Sequence, residues 1–140
     1  MKQIPVIFWT GTGNTQMMAD AVAEAINAAG AEAVVKNVSE ITADEAAGYA
    51  ALALGCPAMG AEVLEECEFE PFFTELEGKL AGKKVALFGS YGWGGTYMQD
   101  WEARVKDAGA TLVADGVLAL GAPDDEAMAK LAEAGKLLAE

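Results

Sequence analysis

Apolar residues fall along this chain in two alternating patterns. Short unbroken runs come first: Ile4-Pro5-Val6-Ile7-Phe8-Trp9, then Ala33-Val34-Val35 with Val38, Ala50 to Leu54, Val85 to Phe88, and a last run between Thr111 and Leu120 broken around Asp115-Gly116. Continuous runs of this length, bounded by glycine, predict strands buried on both faces. Pro5 cannot donate to a ladder and is expected at the beginning of its strand. Between the runs, apolar residues return at helical spacing. Met18, Ala21, Val22, Ala25, Ile26 and Ala29 predict a helix over Thr15 to Ala29, with Gly30 at its C-terminal stop. Further helices are predicted over Phe69 to Leu80, interrupted by Gly78, and over Tyr97 to Ala108, stopped by Gly109. A final helix is opened by Pro123 at its first position.

Strand and helix alternate, so the sheet is parallel and its helices cover both faces by right-handed crossovers. The fold class is α/β. The expectation is a single-domain doubly wound parallel sheet of five strands in the order 2-1-3-4-5, spanning residues 1–140. A five-strand form suits 140 residues better than the six-strand dinucleotide fold.

In such a sheet, ligands bind beyond the carboxyl ends of the strands, and three loops there carry unusual residues. The first is Thr10-Gly11-Thr12-Gly13-Asn14-Thr15. Its hydroxyls, amide and backbone N–H groups stand at a helix N-terminus, which favours an anion. It is neither a P-loop, lacking the terminal Gly-Lys-Ser/Thr, nor the dinucleotide fingerprint, lacking the third glycine. No Lys or Arg lies between Lys2 and Lys36, so a phosphate here would be held by neutral donors. Taken alone, the loop also reads as a Gly/Thr-rich turn with Thr15 near a cap. The second loop is Gly55-Cys56-Pro57-Ala58-Met59-Gly60-Ala61-Glu62; alone, Met59 also reads as core filling and Glu62 as a solvated charge. The third is Gly89-Ser90-Tyr91-Gly92-Trp93-Gly94-Gly95-Thr96-Tyr97. Aromatics among glycines make a flat platform for a planar heterocycle, or a glycine-rich surface loop with incidental rings. Together the loops suit one ligand: a terminal phosphate, a polar chain, and a flat ring between a thioether and an indole. FMN fits.

These motifs resemble those of the flavodoxins, specifically the short-chain group. Trp9 to Thr15 is similar to that family's phosphate loop. Leu54 to Gly60 with Glu62-Val63-Leu64-Glu65, and Gly82 to Gly94, are similar to the loops on the two flavin faces. The resemblance implies that Thr10, Gly11, Thr12, Gly13, Asn14 and Thr15 hold the FMN phosphate. It puts Pro57, Ala58, Met59, Gly60, Ala61 and Glu62 on the inner face, and Ser90, Tyr91, Gly92, Trp93 and Gly94 on the outer. It further implies that Met59 and Trp93 (or Tyr91) flank the ring, that Gly60 presents its carbonyl to flavin N5 and that Glu62 accepts from N3–H. The Gly60–Ala61 peptide would rotate on reduction. Two departures from the pattern lie in these loops: position 61 is alanine, where relatives often carry a polar or acidic residue, and Gly94 to Met98 is one residue shorter.

Composition narrows the function. The chain has 53% hydrophobic and 22% charged residues, as folded proteins do. It has no histidine, which removes His-based triads and metal sites. No catalytic or metal-binding residue is assigned. Cys56 and Cys67 read as reduced thiols of a cytoplasmic protein. A net charge of −13 opposes nucleic acid and anionic lipid and suits soluble redox enzymes with basic docking faces. The apolar run Ile4 to Trp9 is far shorter than the ~20 residues a transmembrane helix needs. The expected function is therefore that of a monomeric, low-potential carrier of single electrons on non-covalent FMN. The alternative is a dimeric FMN-dependent quinone or azo reductase. A receiver domain is disfavoured, because Phe8-Trp9-Thr10 and Leu54-Gly55 stand where its acidic residues belong.

Overall fold

The computed structural model describes residues 2–9, 13–57, 68–91 and 96–140. Strands β1 (Gln3–Phe8), β2 (Glu32–Asn37), β3 (Ala51–Gly55) and β4 (Lys84–Tyr91) pair in parallel in the order β2-β1-β3-β4. The fifth place beside β4 is shared by two short strands, β5 (Thr111–Leu112) and β6 (Val117–Leu120), on either side of the break at Asp115-Gly116. The order 2-1-3-4-5 is as expected, with the fifth strand in two pieces. At the break, the Gly116 N–H donates to Glu102 Oε2 at 2.7 Å, and a Cβ at Gly116 would lie 2.4 Å from the Met98 sulfur. Met98 packs into the space that the missing Cβ leaves.

Strand residues alternate between two cores. Ile4, Val6, Phe8, Ala53, Ala86 and Phe88 face helices α1 (Asn14–Ala28) and α5 (Asp125–Ala139). Ile7, Leu52, Leu54, Val85 and Leu87 face α3 (Phe69–Glu77) and α4 (Thr96–Asp107), with the short α2 (Ala43–Ala47) at that side's margin. On the second side Trp101 packs edge-on to Phe69 and Phe73, with ring centroids 5.4 and 5.9 Å away. Arg104 lies 4.7 Å above the Phe73 ring and bonds Glu70 at 2.8 Å and Glu77 at 3.1 Å, joining α4 to α3.

Several boundaries differ from the sequence reading. Pro5 sits inside β1, opposite Val34 of β2, but pairing of β1 with β3 begins only at Val6. The proline therefore precedes the ladder on that side. The third helix ends at Gly78, which caps it rather than interrupting it. Strand β4 runs through Gly89 to Tyr91, because Phe88 to Tyr91 pair with β6. The last helix is capped by Asp124, whose side chain accepts from the Ala127 N–H at 2.8 Å, so Pro123 precedes the cap instead of occupying the first turn. Between β2 and β3 lie a 3-10 turn (Val38–Glu40) and α2, each closed by a reciprocal cap, Asn37 with Glu40 and Thr42 with Glu45.

Candidate functional site

The parallel strands direct their carboxyl ends to one edge of the sheet. Trp9 follows β1 there, and its N–H donates to the Gly55 carbonyl of β3 at 3.0 Å. The crossovers leave β1 and β3 toward opposite faces of the sheet, so these adjacent strands form the switch point where open α/β sheets bind ligands.

Six of the sequence-assigned residues are described. Gly13 precedes α1 with φ +94°, a left-handed conformation that only glycine adopts cheaply, and Asn14 and Thr15 open the helix. Thr15 is 1% exposed and Ser90, near the end of β4, is 6% exposed. Their hydroxyls meet at 3.4 Å, longer than a good O–H···O bond, so both keep most of their donor capacity. Among the described residues these two are the buried side chains of Ser, Thr or charged type. Tyr91 ends β4, half-buried against the α3/α4 core, and Pro57 follows β3. Thr10, Gly11, Thr12, Ala58, Met59, Gly60, Ala61, Glu62, Gly92, Trp93 and Gly94 lie outside the described residues.

Electrostatics single out the same edge. The N-terminal turns of α2, α3 and α5 carry Asp44 and Glu45, Glu70, and Asp125 and Glu126. Those of α1 and α4 carry no acid, although the chain has 22 acidic residues. These two helices follow the first and third loops. Their positive dipole ends thus meet no carboxylate within their own first turns.

Three further contacts tie the loop roots together, on residues the sequence reading did not assign to the site. Trp9 Nε1 donates to Glu68 Oε1 at 3.2 Å, joining the first loop's entry to the second loop's exit. Tyr97, two per cent exposed at the start of α4, donates its hydroxyl to the Cys56 carbonyl at 2.8 Å, joining the third loop's exit to the second loop's entry. Cys56 is itself held to β4, its N–H donating to the Phe88 carbonyl at 3.1 Å. Tyr97 had a signal, an aromatic opening a helix after a glycine-rich loop. Glu68 had none that separates it from its acidic neighbours.

Fold and site define a doubly wound α/β protein whose switch-point edge brings together the buried hydroxyls of Thr15 and Ser90 beside an acid-free helix start. The flavodoxin family model matches residues 6–135. The flavodoxin of Clostridium beijerinckii is 47% identical over 135 residues, covering 96% of this chain and 97% of that one. The flavodoxin of Megasphaera elsdenii is 46% identical over 116 residues, covering 82% and 85% respectively. The solution structure of two-electron reduced Megasphaera elsdenii flavodoxin superposes with a TM-score of 0.89 at 42% identity, covering 97% of this chain and 98% of that one. The chain belongs to the flavodoxin family, flavin-binding electron-transfer proteins that themselves exemplify the 2-1-3-4-5 sheet with its ligand at the switch point. It is an electron carrier rather than an enzyme, which sets aside the reductase alternative.

Proposed function

We propose that this chain carries single electrons on non-covalently bound FMN, as a monomeric cytoplasmic domain serving soluble redox enzymes with basic docking faces. The observation that carries the choice of FMN is the anion end of the site. Gly13 takes the left-handed turn into α1, Thr15 and Ser90 supply buried hydroxyls, and no acid competes in the first turn. Such a donor set fits a terminal phosphate and leaves an uncharged ribityl end without compensation. Neutral donors also favour a monophosphate over a triphosphate with magnesium. When bound, FMN supplies the one-electron chemistry. The protein's part is to hold the phosphate at α1, to seat the ring between the second and third loops, and to keep water from its faces. The net charge of −13 supports basic partners and opposes nucleic acid and anionic membrane surfaces.

Fluorescence titration of the apoprotein with FMN, riboflavin and FAD tests this reading. FMN is expected to bind far more tightly than riboflavin, whose missing phosphate leaves the Thr15 and Ser90 end unpaired. FAD is expected to be excluded by a loop that closes around a terminal phosphate. Equal affinities for FMN and riboflavin would remove the argument.

A further inference from the structure

The hydroxyl of Tyr97 reaches across the sheet. It starts on α4, just after the third loop, passes over β4 at Gly89, and ends on the carbonyl of Cys56, just before the second loop. The path is open only because position 89 is glycine. A Cβ there would lie 2.1 Å from the Tyr97 hydroxyl oxygen and 2.1 Å from the Cys56 carbonyl oxygen. Gly89 sits mid-strand, paired with Leu118, where glycine is otherwise unfavourable. The contact is fully buried, so neither water nor salt competes with it.

We propose that Tyr97 is a positioning residue of the flavin site: its bond to the Cys56 carbonyl over Gly89 fixes the separation of the two loops that receive the ring. The inference rests on the FMN reading above. Cys56 hands the chain to Pro57 and the second loop, and Tyr97 takes it up from the third. Among the described residues, the other link between the two roots is the backbone ladder of β3 with β4, which ends at Gly55 with Phe88 and at the Cys56 N–H. The Thr15–Ser90 contact lies at the phosphate end and is independent of this bond. Burial holds the Tyr97 phenol well above its ordinary range, with proximity to Cys56 adding to the effect, so the hydroxyl remains a donor at every working pH.

Tyr97→Phe removes the hydroxyl and keeps the ring. FMN is expected to dissociate about 2–12-fold faster, the range for the loss of one buried hydrogen bond. Riboflavin affinity should fall by the same factor, because the loss is at the ring end. Inorganic phosphate binding to the apoprotein should be unchanged. The first-electron potential should shift, since the ring environment loosens unequally for its redox states. A purely structural role predicts a lower melting temperature with unaltered flavin off-rate and potential, and that result overturns the proposal. So does equal weakening of phosphate and flavin, which would mark a global defect. Gly89→Ala strikes both ends of the same bond; in the Tyr97→Phe background its clash with the hydroxyl vanishes and only that with the Cys56 carbonyl remains. The off-rate effects of the two substitutions should therefore be less than additive; strict additivity refutes the shared crosspiece. If wild type binds no flavin, the FMN reading fails; if it binds and Tyr97→Phe behaves identically, this inference alone fails.

Discussion

Replacing Arg104 with methionine keeps an unbranched apolar stem over Phe73 and deletes the cation that joins α4 to α3. Arg104 makes paired bonds of 2.8 and 2.9 Å to the two oxygens of Glu70, and bonds of 3.1 and 3.2 Å to Glu77. The side chains of Arg104 and Glu77 are 30% exposed and that of Glu70 is 34% exposed, so solvent screens the pairs. Each ion pair is then worth about 0.5–1 kcal/mol. The guanidinium over the Phe73 ring adds about 0.5–1 kcal/mol. Their loss sums to about 1.5–3 kcal/mol at pH 7, a fall in Tm of about 5–10 °C for a chain of this size. The sign of the pH dependence follows from Glu70. The Arg104 hydrogen bond, opposed by partial burial and aided by Thr74, holds its carboxyl below the ordinary value of 4.5. A folded-state pKa that is depressed contributes stability above the unfolded value and loses it as pH falls through the folded one. The cost of Arg104→Met should therefore be full at pH 7 and smaller at pH 3, declining as pH falls below the ordinary value of 4.5. Urea unfolding of the apoprotein at both pH values, followed by tryptophan fluorescence, measures it. Arg104→Lys should recover the charge but not the paired geometry, and fall between. An equal cost at both pH values, or one below about 0.5 kcal/mol at pH 7, would show that the network is solvated decoration rather than a joint.

Gly55→Ala would place a Cβ 2.1–2.7 Å from the Phe88 ring. Overpacking there should cost about 1–3 kcal/mol in denaturant melts, and a near-neutral result would mean that the ring has room to turn. On the Gly60–Ala61 peptide rotation that the resemblance implies, Gly60→Thr should lower the first-electron potential by about 40–90 mV, since about 1–2 kcal/mol of strain would fall selectively on the one-electron form and a tenfold change is ~59 mV. A spectroscopic redox titration reads this, and an unshifted potential at full radical yield would mean that Gly60 serves only close packing.

The sheet was legible because each strand is a short apolar run buried on both sides, a pattern that needs no tertiary information. Glycines with positive φ at 30 and 109 made two helix stops readable. Gly89 misled, since a glycine at the end of Val85 to Phe88 looks like a strand terminus. Here it is a gap kept open for Tyr97, and only the fold brings those two residues together. Gly78 misled in the opposite way, appearing within a helix that it ends. The segment before β3 was passed over although Thr42 and Glu45 spell a capping box, because five helical residues give no periodicity to see. At the candidate site, loop chemistry singled out Thr15 and Ser90, whose hydroxyls the fold brings within 3.4 Å of each other. The Trp9–Glu68 and Tyr97–Cys56 contacts were not, since each spans tens of residues and no local pattern encodes it.

The packing of α1 against α5 sets an order on synthesis. Met18, Val22 and Ile26 of the first helix are closed over by Leu131, Ala134 and Leu138 of the last, and Gly135 brings the two so near that a Cβ would lie 2.8 Å from the Val22 carbonyl. Lys2 Nζ reaches the Leu138 carbonyl at 3.2 Å. On the ribosome, α1 emerges first and its final cover emerges last, a wait of roughly 5–20 s at about 5–20 residues per second. During that interval its apolar stripe is available to chaperones or to neighbouring nascent chains. Arrest of translation before α5 should give a chain that a trigger-type chaperone holds tightly, and release of the full-length chain should end that hold.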